Sequence, residues 1–299
     1  MRVAINGLGR IGRAVLKILI SNKDFEVVAL NDIVDAETIA YLIKYDSIYG
    51  RFEKDIFADE GGLVLEGKRL PLYREKDLSA LSWDEHDVDM VFECTGVFNK
   101  HEDLKKHLES DVKHVLLSAP AKDDDIPTIV FGVNKPQIDD KIISCASCTT
   151  NCIAPVVEII DRHFGVKKAT LTTVHAYTST QGIVDSPNKK MRRGRAASEN
   201  FVPTTTGATK ATTKVIKHLE NKFEGSAIRG PVPVGSISDM NFVIKKNASK
   251  EEINDALKDE SKTDRYNGIL GVSSEPLVSS DIIKDTRASV VDLDMTMSI

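Results

Sequence analysis

Through the first half of the chain, short apolar runs alternate with segments of helical period. Residues 2–6 read as a buried strand, residues 11–22 as a helix with Ile11, Val15, Ile18 and Leu19 on one side, and residues 27–30 as a second strand closing on Asn31-Asp32. The pattern continues with a helix near 36–45, antiparallel-looking segments at 63–65 and 69–73, a strand at 89–94, a helix at 101–109 and a strand at 112–117. Strands at 128–131 and 141–145 complete the series. Strand ends carrying Thr95-Gly96 and Ser118-Ala119-Pro120 are what a doubly wound parallel sheet presents at its ligand crevice.

Beyond residue 147 the pattern changes. A helix over 150–163 leads into the alternating stretch 166–175, read as a half-buried strand with His175 at its end. Residues 178–202 have no period, and a loop of that length in a compact domain points to function or to a subunit contact. A helix over 209–222, strands at 226–229 and 236–245, and a helix over 249–259 follow, the last with Ser249 and Glu252 at capping-box spacing. A final strand at 288–297 makes this half α+β, with a mixed, largely antiparallel sheet. The expected domains are 1–147 and 148–299.

Length and composition narrow the class. The 299 residues allow two domains with sizeable cores, and 41% hydrophobic with 28% charged residues is ordinary for a globular chain. A net charge of -5 argues against general nucleic-acid or membrane binding, and no apolar run approaches the roughly 20 residues of a membrane helix. The chain opens directly into a strand without a signal-peptide pattern, and three of its four cysteines cluster at 145–152, unlike a secreted disulfide framework. A cytoplasmic location with reduced thiols is the expectation.

Gly7-Leu8-Gly9-Arg10-Ile11-Gly12 lies between the first strand and the first helix, and Asp32 closes the next strand. In that context the glycine motif is a Rossmann-type dinucleotide fingerprint. Gly7 and Gly9 admit a pyrophosphate, Gly12 lets the helix sit close on the strand, and Asp32 accepts from the adenosine ribose, favouring NAD. In Ser147-Cys148-Thr149-Thr150-Asn151-Cys152-Ile153-Ala154-Pro155, the proline is read as first-turn, so that a helix begins just ahead of it and Cys148 stands at or beside its N-terminus. Free N–H groups there favour a thiolate. Three readings compete: a cysteine that merely packs, a metal site of Cys145, Cys148 and Cys152 that lacks a fourth ligand at zinc spacing, and a nucleophile. His175 supplies the base the third requires. His86, His101, His107, His114, His163 and His218 read as solvated, and Cys94 as core. Residues 204–208 (Thr-Thr-Thr-Gly-Ala) open a helix as an anion site, and the basic cluster around Arg192–Arg195 reads as a subunit contact or phosphate site rather than a nucleic-acid patch.

These motifs together, with Lys44-Tyr45-Asp46-Ser47, Glu93-Cys94-Thr95-Gly96-Val97-Phe98 and Val278-Ser279-Ser280-Asp281, resemble glyceraldehyde-3-phosphate dehydrogenase along the whole chain. The resemblance implies a phosphorylating NAD(P)-dependent aldehyde oxidation. Cys148 matches the nucleophile, passing through a thiohemiacetal and a thioester, and His175 matches the base. Gly7, Gly9, Arg10, Ile11, Gly12, Asp32, Lys76 and Ser118 match cofactor-contacting positions. Ser147, Thr149, Thr206 and Gly207 match the attacking-phosphate site, Thr178 and Arg229 the contacts to the substrate's own phosphate. A homotetramer is implied, with residues 178–202 as its subunit-contacting loop, and no metal. Three departures stand out. The chain stops at Ile299, where the family continues through an asparagine that binds the nicotinamide amide and a helix that returns to the first domain. The run after Arg229 differs from the family's, and Ser186 near the adenosine end leaves NADP open. Erythrose-4-phosphate dehydrogenase and a catalytically impaired cofactor-binding paralogue or fragment stand as alternatives.

Overall fold

In the computed structural model, which describes residues 1–299, the chain forms two units: Met1–Ile129 with Pro136–Ala146, and Val130–Lys135 with Ser147–Ile299. The excursion Val130–Lys135 belongs to the second unit although its sequence neighbours on both sides belong to the first.

Unit 1 runs β1 (Arg2–Asn6), α1 (Arg10–Leu19), β2 (Glu26–Asn31), α2 (Ala36–Lys44), the small hairpin β3 (Tyr45–Asp46) and β4 (Gly50–Arg51), then β5 (Ile56–Asp59), β6 (Gly62–Leu65), β7 (Lys68–Tyr73), β8 (Met90–Glu93), α3 (His101–Leu104), β9 (His114–Leu117) and β10 (Ile142–Ser144). Eight strands form one sheet in the order β10-β9-β8-β1-β2-β7-β6-β5. The pairings from β10 to β7 are parallel, and β6 and β5 extend the sheet antiparallel. Val3, Ala4 and Ile5 of β1 are fully buried, the unbroken apolar run that a strand covered on both faces requires. The chain passes from β1 to β2 on one side and returns at β8 on the other. The switch point, where such sheets bind ligands, therefore lies at the end of β1.

Unit 2 runs α4 (Cys148–Phe164), β11 (Val166–Ala176), β12 (Val202–Thr205), α5 (Ala208–Val215), β13 (Phe223–Gly230), β14 (Ser236–Ile244), α6 (Lys250–Glu260), β15 (Leu270–Ser273) and β16 (Ser289–Asp292). Its four-stranded sheet has the order β12-β13-β11-β14, with β11–β13 parallel and the two outer pairings antiparallel. Val166, Ala169 and Leu171 of β11 turn inward against Ile153, Val157 and Ile160 of α4, while Lys168, Thr170 and Thr172 face out. This alternation is the one that a sheet covered on one face demands.

Several expectations are corrected. Residues 128–131 do not form a strand: Thr128 makes one bridge to Ser144, then the Val130 N–H turns to the Asn134 side chain at 2.8 Å and the chain leaves the sheet. The 101–109 helix is α only to Leu104 and continues as a 3-10 turn over Lys105–Ser110. The helix expected over 209–222 ends at Val215, followed by a 3-10 turn at Lys217–Leu219. The final strand is only Ser289–Asp292, and it pairs in parallel with β15 in a separate two-stranded sheet.

Pro155 is the instructive error. It sits in the interior of α4, whose N-cap is Ser147, not in the first turn. An interior proline removes one ladder hydrogen bond at a cost of about 3 kcal/mol. The helix tolerates it because α4 is the central core element: Ile153, Ala154, Val156, Val157, Ile159 and Ile160 are all buried around it. His107, read as solvated, is fully buried between the Trp83 indole and the Glu93 carboxylate.

Candidate active site

The helix start of α4 sets the first group. Ala146, two residues before Cys148, holds φ 59°, a left-handed conformation that costs a non-glycine residue about 1–2 kcal/mol. Ser147 caps α4: its Oγ accepts the Thr150 N–H at 3.1 Å and meets the Thr150 hydroxyl at 2.7 Å. Cys148 is thus the first helical residue, with its side chain solvent-exposed and the helix N-terminus behind it. Thr149 is buried, its hydroxyl 4.0 Å from the Cys148 sulfur.

The second group comes from the sheet. Register pairs His175 of β11 with Arg229 of β13, placing both at the same end of adjacent parallel strands. His175 Nε2 lies 3.4 Å from Cys148 Sγ, and Nδ1 lies 2.8 Å from the Ala176 carbonyl. Arg229 Nη1 donates to that carbonyl at 2.9 Å and stands 3.0 Å from His175 Nδ1. When Nδ1 carries the proton it donates to the Ala176 oxygen, which leaves Nε2 as the acceptor facing the thiol.

Electrostatics follow from this contact. Although the residue is reachable from solvent, partial desolvation of the Cys148 thiol pushes it up, but the hydrogen bond and charge of His175, with Thr149 hydroxyl and backbone, outweigh this, and the net shift is downward. His175 is raised by the Cys148 hydrogen bond against the opposing effect of burial. The other cysteines go the opposite way. Burial pushes Cys94 up to about 11, and it raises Cys145 and Cys152 as well. Of the four thiols, only that of Cys148 is shifted toward the thiolate, the form that acts as a nucleophile.

Other segments of unit 2 carry further polar groups. Thr178 donates its N–H to Gln181 Oε1 at 3.2 Å, and its hydroxyl meets that of Thr180 at 2.9 Å. Thr206 Oγ1 accepts the Ala208 N–H at the start of α5, and Gly207 caps that helix with open space where a Cβ would stand. Arg229 Nε and Gln181 Nε2 are buried donors without a protein partner, the condition in which an anionic ligand is welcome. The structure joins Cys148, Thr149, His175 and Arg229 in one contact chain. Ser147 is beside it but spends its hydroxyl as a cap.

Unit 1 holds the glycine turn. Gly7 has φ +91°, and a Cβ there would meet Thr95 backbone at 2.6 Å. A Cβ on Gly12 would fall 1.8 Å from the Gly7 carbonyl, whereas one on Gly9 would meet nothing within 4 Å. Gly9 is the N-cap of α1, with no side-chain cap and no acid in the first turn. The turn is therefore a close-packed glycine cradle at a helix N-terminus that no side chain of Gly9 caps, the fit a dinucleotide pyrophosphate requires. Arg10 and Ile11 lie exposed at the start of α1. Asp32 accepts the Leu8 N–H at 2.6 Å and the Val34 N–H at 3.0 Å, so it braces the turn. Ser118 turns its hydroxyl to Cys94, and Lys76 is exposed.

Comparison with known proteins decides the family. The NAD binding domain model of glyceraldehyde 3-phosphate dehydrogenase matches residues 1–101, and the C-terminal domain model matches residues 147–299. Glyceraldehyde-3-phosphate dehydrogenase 2 of Bacillus subtilis (strain 168) is 46% identical over 99% of this chain and 88% of its own. The Geobacillus stearothermophilus enzyme is 46% identical over 100% and 90%, and that of Clostridium pasteurianum 43% over 99% and 88%. The chain belongs to the glyceraldehyde-3-phosphate dehydrogenase family.

Within this family member, two polar side chains of the 178–202 loop escaped the sequence reading. Arg193, in the aperiodic loop, donates Nε and Nη2 to Thr204 Oγ1 at 3.1 and 3.0 Å, and its charge acts on Arg229. The basic cluster signalled a phosphate site, but nothing in the sequence separated Arg193 from Arg192 and Arg195. Gln181 is buried beside Thr178, and a lone glutamine in a loop carries no sequence signal at all.

Proposed function

We propose that this chain oxidises glyceraldehyde 3-phosphate, with inorganic phosphate and NAD, to 1,3-bisphosphoglycerate, and that Cys148 and His175 carry the chemistry. The 3.4 Å contact between Cys148 Sγ and His175 Nε2, at a helix start, is the observation that supports it. His175 Nε2 takes the thiol proton, and the Cys148 sulfur attacks the aldehyde carbon. The resulting imidazolium donates to the oxyanion and protonates it, which completes the thiohemiacetal. His175 then removes the hydroxyl proton as the carbon–hydrogen bond breaks, and the carbon is left as a Cys148 thioester. NAD, when bound, accepts the hydride released in that step. A phosphate oxygen attacks the thioester carbon, the carbon–sulfur bond breaks, and Cys148 leaves as the thiolate that the next cycle needs.

The remaining roles follow from the donors. Arg229 and Thr178 hold the phosphate of the aldehyde, and Arg229 also fixes the His175 ring through the shared Ala176 carbonyl. Thr206, Gly207, Thr149, Ser147 and Arg193 receive the attacking phosphate, supported by the N-terminus of α5, which Gly207 leaves without a side-chain cap, and by the positive charges of Arg193 and Arg229 acting on each other. Gly7, Gly9, Arg10, Ile11, Gly12, Asp32, Lys76 and Ser118 hold NAD. The enzyme acts as a homotetramer, with residues 178–202 in the subunit contact, and works in the cytoplasm with its four cysteines free.

The test is absorbance at the reduced-nicotinamide band on mixing protein, glyceraldehyde 3-phosphate and NAD, with and without phosphate. Sustained turnover only with phosphate is expected. A rate indifferent to phosphate would remove the acyl-phosphate step, and appreciable turnover by Cys148→Ser would remove the covalent one.

A further inference from the structure

The ends of β1, β2 and β8 carry a buried polar network that the chemistry above leaves unused. Glu93 is fully buried and no lysine or arginine pairs with it. Its Oε2 accepts from Asn6 Nδ2 at 2.5 Å and from His107 Nε2 at 3.3 Å. Its Oε1 accepts the Thr95 N–H at 2.8 Å and the Thr95 hydroxyl. Two arms feed this carboxylate. On one, the Trp83 indole N–H donates to His107 Nδ1 at 3.0 Å. Indole nitrogen can only donate, so Nδ1 accepts and the ring proton sits on Nε2, aimed at Glu93. On the other, Asn31 Nδ2 donates to Asn6 Oδ1 at 2.7 Å, and Asn31 Oδ1 accepts the Glu75 N–H at 2.9 Å. Along both arms the bonds run toward Glu93 and polarise one another in that direction, while Asn31 Nδ2 also donates outward to the Glu75 carbonyl at 3.0 Å.

What the network holds is the glycine turn. Gly7 stands against Thr95 so closely that a Cβ would fall 2.6 Å from its nitrogen. The Gly7 N–H is bound to the Asn31 carbonyl at 2.7 Å, and the Cys94 N–H to that of Asn6 at 2.7 Å. We propose that Glu93 is a positioning residue for the nucleotide-binding turn, holding Thr95 as the wall against which Gly7 is seated, with His107 locked by Trp83 as its donor. This rests on the reading of the turn as the NAD site. A carboxylate is needed because all four incoming groups are donors. A carboxamide presents its NH₂ to two of them.

Calorimetric titration with NAD tests it on the intact 299-residue chain. Glu93→Gln is expected to weaken NAD binding about ten- to a hundredfold, the consequence of losing charge-assisted hydrogen bonds. KM for NAD should rise while KM for glyceraldehyde 3-phosphate does not. His107→Leu should weaken NAD binding and shift the emission of Trp83, the only tryptophan. His107→Gln, which keeps a donor for Glu93 and an acceptor for the indole, should restore both. Should Glu93→Gln fail to fold, the His107 pair decides. Folded Glu93→Gln, or folded His107→Leu, binding NAD as the wild type does overturns the inference alone. A wild-type protein that binds no NAD overturns the nucleotide reading beneath it.

Discussion

Cys148 and His175 each shift the other in the direction that favours the charged pair: the thiol is lowered, the imidazole raised. The thiolate therefore persists to lower pH than in an ordinary cysteine, whose pKa is about 8.5. Alkylation by iodoacetamide, followed against pH, should show a midpoint below that value for Cys148. In His175→Asn the opposition to burial weakens, and the midpoint should move up. An unmoved midpoint would assign the shift to the helix terminus and Thr149 alone. Cys148 was legible in the sequence as the candidate nucleophile, because a cysteine among capping hydroxyls before an apolar helix is a local pattern. The roles of Arg193 and Gln181 were not. Each depends on a partner, Thr204 or Thr178, that the fold of the loop brings to it. His107 failed for the same reason: its neighbours Trp83 and Glu93 lie on other segments.

At the scale of elements, the glycines of the turn between β1 and α1 divide into two kinds. Gly12 is required by the fold, since a Cβ would strike the Gly7 carbonyl, whereas at Gly9 nothing lies within 4 Å. Gly12→Ala should lower Tm by several degrees or prevent folding, because backbone cannot yield as a flexible side chain does. Gly9→Ala should keep the wild-type Tm and lose affinity for NAD, which calorimetry reads separately from thermal unfolding. A Gly9→Ala variant with full NAD affinity would mean that the ligand does not approach there. Local signals placed most elements well: Ser249 and Glu252 form the capping box that their spacing implies. They failed where a distant contact overrode them, as with Pro155, whose place in the interior of α4 is sustained by the core on all sides.

At the scale of the whole molecule, the loop between β11 and β12 exposes Ile183, Val184, Met191 and Phe201, an apolar burden that a lone chain has no reason to show to water. Sedimentation equilibrium should give four times the chain mass of 32.9 kDa. Met191→Lys combined with Phe201→Lys should shift it toward smaller species, and a wild-type monomer would refute the assembly. By itself the sequence determined the α/β class, the strand–turn–helix of a nucleotide-binding domain, the candidate nucleophile and the family. All of these rest on residues near one another in the chain, where propensity, capping and glycine sterics act directly. Only the tertiary structure decided that His175 meets Cys148 across 27 residues, that Arg229 stands behind it, and that Glu93 gathers donors from Asn6, Thr95 and His107. Sheet register and the burial of charge set those distances, and both are properties of the folded chain as a whole.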